Sequence, residues 1–313
     1  MSGRPVVLVG SPRDAHVDAL YESLTERGTD VVVADTLSFP DDYVISLGHE
    51  IDSITVAGRR VGRPAAVYIR DTYVHPLSYG VDADAEMDQD WRRTLVAFRE
   101  KGQMLVPLLT RWTEMGIPMY NPASRDWRNS KGFQIAALHQ AGLPVPRTLW
   151  TNDPDAVKEF AGGQRVVYKP VAGGAATREL GPEDLTDERL RKLKGAPVTF
   201  QELLEGDNFR VYCLDGKVIA QIRVTSKEID FRQNEEIVEE TELSPEVQQQ
   251  CLKAAEVIGM RWTGMDLRAD TSGTLKFLEL NSSPMFLGFD ARAGTKIRET
   301  LVARLAEHGE AAL

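Results

Sequence analysis

Cysteine is nearly missing from this chain: its 313 residues include only Cys213 and Cys251, with no CxxC spacing and no histidine nearby. That excludes a disulfide framework or a zinc knuckle and leaves two buried free thiols as the expectation. No apolar run is long enough for a membrane helix, and the opening MSGRPVVLVGSP lacks the apolar core of a signal peptide. The expected location is the cytoplasm, with no membrane partner. Positive charge is also short, 37 Lys and Arg against 47 Asp and Glu for a net charge of -10. Neutralising phosphates along a strand needs clustered cations, so a nucleic-acid partner is excluded. A metal-nucleotide site tolerates the same balance. The first turn, Gly10-Ser11-Pro12-Arg13, fails the GxGxxG fingerprint, and no GK[ST] marks a Walker loop. Nor is there a Ser-His-Asp or Cys-His constellation, so the chemistry sought needs no protein nucleophile.

What is present is an ordinary globular composition, 42% hydrophobic, enough for two or three compact lobes. Apolar periodicity predicts strand 5–9, helix 14–27 closed by Gly28, and strand 30–34, half of an open α/β layer. A hairpin in IDSITVAGRRVG, a strand over 66–70, a long helix over 87–115 and a strand over 117–120 complete a lobe at 1–120. From 121 to 199 the pattern is helix 131–140, strand 145–150, a short helix, strand 166–169, a Gly-rich loop and a charged helix 184–194. From 200 to 313 it holds the strand end QELL and a hairpin around Asp215-Gly216. Helix 245–258, strands WTGMDLRAD and TLKFLELN, and a terminal helix follow. The expected class is α/β together with α+β, in three lobes.

The most pointed local signal is Asp266 in GMDLRAD with Glu279 and Asn281 in FLELNSSP. Alternate residues of a strand share a face, so Glu279 and Asn281 point together, and a hairpin turning at 271–273 brings Asp266 alongside. Three hard oxygen donors then converge, the set magnesium prefers. Leu278 and Leu280 are expected on the opposite, packed face. The competing reading is a solvated amphipathic hairpin. Lys169 ends an apolar strand and precedes Gly173 and Gly174, where backbone amides can approach phosphate, although a solvated strand end has the same pattern. Gln201, Glu202, Leu203 and Leu204, followed by Glu205 and Asp207, suit an adenine and ribose as well as an edge strand running into a turn. Lys131 at a helix start favours an anion, or is a surface lysine.

Their order is what discriminates. A lysine before a helix, a strand lysine, a Gly loop, QELL, an arginine-bearing hairpin, an Asp and an ExN resemble, over 121–290, the ATP-grasp superfamily. The resemblance is to its branch of RimK-like glutamate ligases and glutathione synthetases, with ELNSSP and DFRQN (230–234) the most specific part. It implies an ATP-grasp fold: an N-terminal open α/β layer at 1–120, a small central lid at 121–199, and a C-terminal mixed sheet with helices at 200–313. It also implies that Lys131 and Lys169 contact ATP phosphates, and that Gln201, Glu202 and Leu204 meet adenine while Leu203 helps grip the ring. Glu205 and Asp207 compete for the ribose, with Asp207 favoured. Asp266, Glu279 and Asn281 would hold two magnesium ions, with manganese a substitute.

Arg210, in NFRVY, resembles the arginine that steadies an acyl phosphate and its tetrahedral intermediate. Arg223 on the return strand and Arg268 beside Asp266 are further catalytic candidates, with structural salt bridges the competing reading. Arg232 and Asn234 resemble a loop near the phosphates. Two departures stand out: Ala175-Ala176-Thr177 in the glycine loop, and an acidic run at 235–240 where relatives are basic.

The implied activity is ATP-dependent ligation of a carboxylate to an amine, through an acyl phosphate, on an amino acid, peptide or protein. The alternatives are modification of ribosomal peptides by ester or amide links, or an ATP-binding or phosphotransferase module without ligase activity. The N-terminal lobe is expected to take the carboxylate or peptide, with Arg70, Tyr73 and His75 as candidates, and to form a homodimer.

Overall fold

The computed structural model describes residues 4–38, 44–50, 53–72, 81–122, 130–172, 176–225 and 237–311. Tyr73, His75, Gly173, Gly174, Ala175, Arg232, Asn234 and the acidic pair at 235–236 lie outside the described residues. The chain forms two compact units: Met1–Asp126 with Met285–Leu287 and Lys296–Leu313, and Trp127–Pro284 with Gly288–Thr295.

The first unit is built on a four-stranded parallel sheet in the spatial order Val31–Asp35, Val6–Gly10, Ala66–Ile69, Met119–Tyr120. Val6 to Val9 are all buried, as a parallel strand covered on both faces requires. Asp14 caps helix Ala15–Glu26 by accepting the His16 amide, and Arg70 Nε reaches the same carboxylate at 2.8 Å. The C-terminal helix Ile297–Ala311 packs in this unit against Ala15–Glu26, and His308 Nε2 lies 2.8 Å from the Tyr120 hydroxyl. The long helix runs Val81–Glu114 and is interrupted at Asp90, whose φ of -154° is extended rather than helical. In the hairpin Thr55–Val56 to Arg59–Arg60, Ala57 and Gly58 both take positive φ (50° and 72°), the two-residue turn whose twist matches its strands.

The second unit holds two antiparallel sheets. The smaller has the order Arg178–Glu179, Val166–Pro170, Val198–Glu202, Thr148–Thr151, and buries Val166 and Phe200 against Val157, Leu190 and Leu193. In place of one charged helix over 184–194 there are 3-10 turns at Pro182–Leu185 and Arg191–Gly195 around a single helical turn, Asp187–Leu190. Leu190 and Leu193 are the buried side chains there, too few to support a longer amphipathic helix.

The larger sheet has the order Ile237–Glu240, Lys217–Thr225, Asn208–Leu214, Trp262–Ala269, Leu275–Asn281. One face, carrying Val211, Cys213, Met265, Leu267, Phe277 and Leu280, is closed by helices Lys131–Gln140 and Pro245–Ile258. Because side chains alternate, that burial dictates which residues face the other way.

Candidate active site

The opposite face of the larger sheet carries a row of charge across three neighbouring strands. Arg210 is directly paired with Asp266, and Asp266 with Glu279. The Arg210 guanidinium contacts the Asp266 carboxylate. Lys131, first residue of its helix, brings Nζ to 2.5 Å from Glu279 Oε2. Asn281 lies two residues beyond Glu279, and its Nδ2 is 3.4 Å from both carboxylates and from the Gly264 carbonyl.

Burial raises the Asp266 carboxyl above the usual carboxylate range; Arg210 opposes this and the neighbouring Glu279 charge adds to it. Burial also penalises the Glu279 anion, but Lys131, joined by the Asp266 hydrogen bond and the Lys169 charge, outweighs that and holds the group down at about 2. Burial disfavours the Arg210 charge as well, and Asp266 more than offsets it. Arg210 Nε is buried without a hydrogen-bond partner among the described residues, so this guanidinium has donor capacity left for an anion.

Among the described residues no three of His, Cys, Asp and Glu stand together as a metal site. The donors at this point are two carboxylates and one amide, whose half-turn exchanges nitrogen for oxygen. Magnesium commonly takes few protein oxygens and completes its shell with water and phosphate, so the set fits that ion.

The strand that carries Glu279 departs from simple alternation. Its pairing register slips between Asp266 and Leu267, so that Leu267 faces Phe277 and Leu278 is the extra residue of a bulge. Leu280 is buried as expected from its parity, but Leu278 is not in the core; Phe277 takes that place. Lys276 consequently shares the face of Glu279 although it is three residues away. Paired with Arg268, it reaches Glu202 Oε1 at 2.5 Å.

Lys169 donates to Gln201 Oε1 at 3.2 Å on the smaller sheet, and Gln201 in turn donates to Thr148 Oγ1. The backbone amides of Glu202 and Leu203 are bonded to Arg147 and Arg165, and the Leu204 side chain is buried. Glu205 is turned to Arg165, whereas Asp207 accepts from Arg223. Arg268 donates to the Gly206 carbonyl beside Asp207, and burial draws its guanidinium downward with Asp207 opposing.

Arg223 is not brought into the charged row. It stands opposite Phe209, one residue out of phase with Arg210, and therefore on the helix-covered side. It pairs with Asp207 and, at 3.6 Å, with Glu239. Arg70 is engaged by Asp14.

Several contributors escaped the sequence reading. Gln134 and Lys276 act on backbone or across the bulge, where no periodicity marks them. Tyr212 and Gly264 were recoverable from alternation with Arg210 and Asp266. The guanidinium carbon of Arg210 lies 5.6 Å from the Tyr212 ring centre and 5.9 Å from that of Phe289. Burial pushes the Tyr212 phenol up to about 12. A Cβ on Gly264 would stand 2.6 Å from Pro284 Cβ and 3.2 Å from Arg210 Nε, so that position has to be bare.

Comparison with known proteins adds four likenesses. Residues 196–305 match the RimK-like ATP-grasp domain. A probable alpha-L-glutamate ligase of Cellvibrio japonicus (strain Ueda107) is 30% identical over 312 residues, covering 93% of this chain and 91% of that protein. Another, from Shewanella pealeana, is 25% identical over 209 residues, 62% of this chain but 45% of that longer protein. The solved structure of the ATP-grasp ligase PsnB with a phosphomimetic variant of minimal precursor, Mg and ADP superposes with a TM-score of 0.92. It is 47% identical, with 98% of this chain and 99% of that one covered.

Proposed function

Because this chain belongs to the RimK-like ATP-grasp family, we propose that it is an ATP-dependent ligase joining a carboxylate to an amine through an acyl phosphate, with a peptide as substrate. The observation that carries this reading is the partly buried row Arg210, Asp266, Glu279, Lys131, in which each carboxylate is matched by its own cation.

Asp266, Glu279 and Asn281 would hold magnesium, which when bound would neutralise charge at the phosphates. Lys131 and Lys169 bind the phosphate chain, and the strand Val198–Glu202 with Leu203 and Leu204 receives adenine. The Glu202–Lys276 pair ties that strand to the larger sheet, and Asp207 takes the ribose. A carboxylate oxygen of the substrate attacks the γ-phosphorus; an O–P bond forms, the bond to the bridging oxygen breaks, and ADP leaves. An amine nitrogen then adds to the acyl carbon and the carbonyl electrons move to oxygen, where Arg210 stabilises them. When they return, the C–O bond to phosphate breaks, phosphate departs, and the nitrogen gives its proton to solvent.

Two observations support a peptide rather than a free amino acid. PsnB, 47% identical, binds a precursor. In addition, a cavity of about 300 Å³ lies beside the smaller sheet, lined by apolar Tyr168, Leu180 and Phe200 and by charged Asp184, Arg189 and Lys192. The same likeness favours a second reading, in which a hydroxyl or amine of the precursor itself is the acceptor. The reading also has the enzyme acting in the cytoplasm, and as a homodimer, which light scattering tests.

The deciding experiment incubates protein, ATP and magnesium with candidate peptides, with and without hydroxylamine. Acyl hydroxamate and phosphate release are expected, and ATP binding without hydroxamate from any carboxylate pool would sink the ligase reading. By mass spectrometry, a product that gains an amino-acid residue supports addition, and one that loses water supports internal linkage.

A further inference from the structure

We infer that Gln134 is a positioning residue that fixes the register of the metal-ligating strand end, an inference that rests on the magnesium–nucleotide reading of the site. The strand Leu275–Asn281 is the edge of its sheet, so one row of its peptide groups has no strand to pair with. Gln134 takes the place of that absent strand. Its Nε2 donates to the Leu280 carbonyl at 2.8 Å, and its Oε1 accepts from the Leu280 amide at 2.9 Å. A side-chain amide carries a donor and an acceptor on separate atoms, so it can meet the amide and the carbonyl of one residue at once, as a neighbouring strand would. Gln134 is itself 1% exposed, so neither bond competes with water.

The position of this clasp decides what it does. Leu280 lies between Glu279 and Asn281, the two proposed ligands on this strand. On the other side of the bulge, the Phe277 amide donates to the Pro144 carbonyl at 2.9 Å. The strand is therefore pinned at Phe277 and at Leu280, on either side of the bulge at Leu278, which opposes migration of the extra residue along it. That keeps Phe277 and Leu280 toward the core and Glu279 and Asn281 toward the site. Gln134 also lies one helical turn from Lys131, so a single helix face delivers a cation to the Glu279 carboxylate and an amide to the backbone behind it.

The test titrates the whole protein with AMPPNP at graded magnesium and records the melting temperature in parallel. Gln134→Leu fills the space without the amide. Its magnesium requirement for half-maximal nucleotide binding is expected to rise about tenfold or more, the usual effect of losing a partner behind a metal ligand. Its AMPPNP binding in EDTA is expected to match the wild type. Leu138→Ala, on the same buried helix face, is expected to lower the melting temperature and leave the magnesium requirement alone. Gln134→Met, which removes both bonds with an unbranched side chain of similar length, is expected to show the same rise and stands in if the leucine variant does not fold. An unchanged magnesium requirement in a folded Gln134 variant, or an equal rise in Leu138→Ala, overturns the assignment. Failure of the wild type to bind AMPPNP in a magnesium-dependent way overturns the reading beneath it as well.

Discussion

Asp266 and Glu279 stand directly opposite each other on neighbouring antiparallel strands, and their countercharges come from two other elements, Arg210 from a third strand and Lys131 from a helix. Two adjacent, partly buried carboxylates repel unless each is compensated, so the four groups form one unit.

Removing one anion from that unit tests the metal assignment. Glu279→Ala is expected to cut ATP-dependent turnover by about a hundredfold or more while circular dichroism and thermal melting stay close to wild type. Near-normal phosphate release in that variant would remove Glu279 from the site.

The two hairpin arginines should separate cleanly. Arg210→Met leaves the Asp266 carboxylate buried without its partner, and a loss of about 3 kcal/mol in urea unfolding is expected, together with loss of turnover. Arg223 is 42% exposed in its pair with Asp207, so Arg223→Met is expected to cost under about 1 kcal/mol and to keep most of the activity. Equal kinetic losses in the two variants would return Arg223 to the catalytic group.

Asp14 predicts a pH dependence of stability. Burial raises its carboxyl, but the hydrogen bonds from His16 and Arg70 outweigh this and hold it well below its usual 3.8. A depressed acid contributes fully above the unfolded value and loses that contribution as pH falls toward the folded one. Asp14→Asn retains a capping oxygen and gives up the charge, so its stability deficit should be constant above about pH 5 and narrow below about pH 4. A deficit independent of pH in urea titrations would mean that the Arg70 pair contributes nothing.

Gly264→Ala places a methyl group against Pro284 and Arg210. A destabilisation of about 1 to 3 kcal/mol is expected, with kcat falling further than stability alone explains because the guanidinium must move. Unchanged kinetics would show that Arg210 has freedom to spare.

Much of this was legible in the residues. GMDLRAD and FLELN announce two strands, and alternation alone puts Glu279 with Asn281. The parallel layer at the N-terminus follows from VVLVG and VVVAD, whose unbroken apolar character asks for cover on both faces. Other features depend on partners remote in sequence. Nothing near Arg223 tells that it is out of phase with Arg210; that requires the pairing of two strands. Gln134 acts on a backbone amide 146 residues away, and backbone carries no sequence signal. The helix expected over 184–194 fails because propensity without buried surface does not sustain a helix.

Leu278 has a consequence for how this strand can vary. As the supernumerary residue of a bulge it is half-buried and outside the core, so replacing it with another side chain should be cheap. Straightening the strand with Leu278 still in it is another matter: simple alternation from Phe277 would then turn Glu279 to the packed interior and Leu280 to the nucleotide. Deleting Leu278 instead removes the extra residue and leaves Glu279 following Phe277 on the site face. The segment therefore accepts a change of identity at this point, and even the loss of this one residue, but at its present length it depends on the bulge.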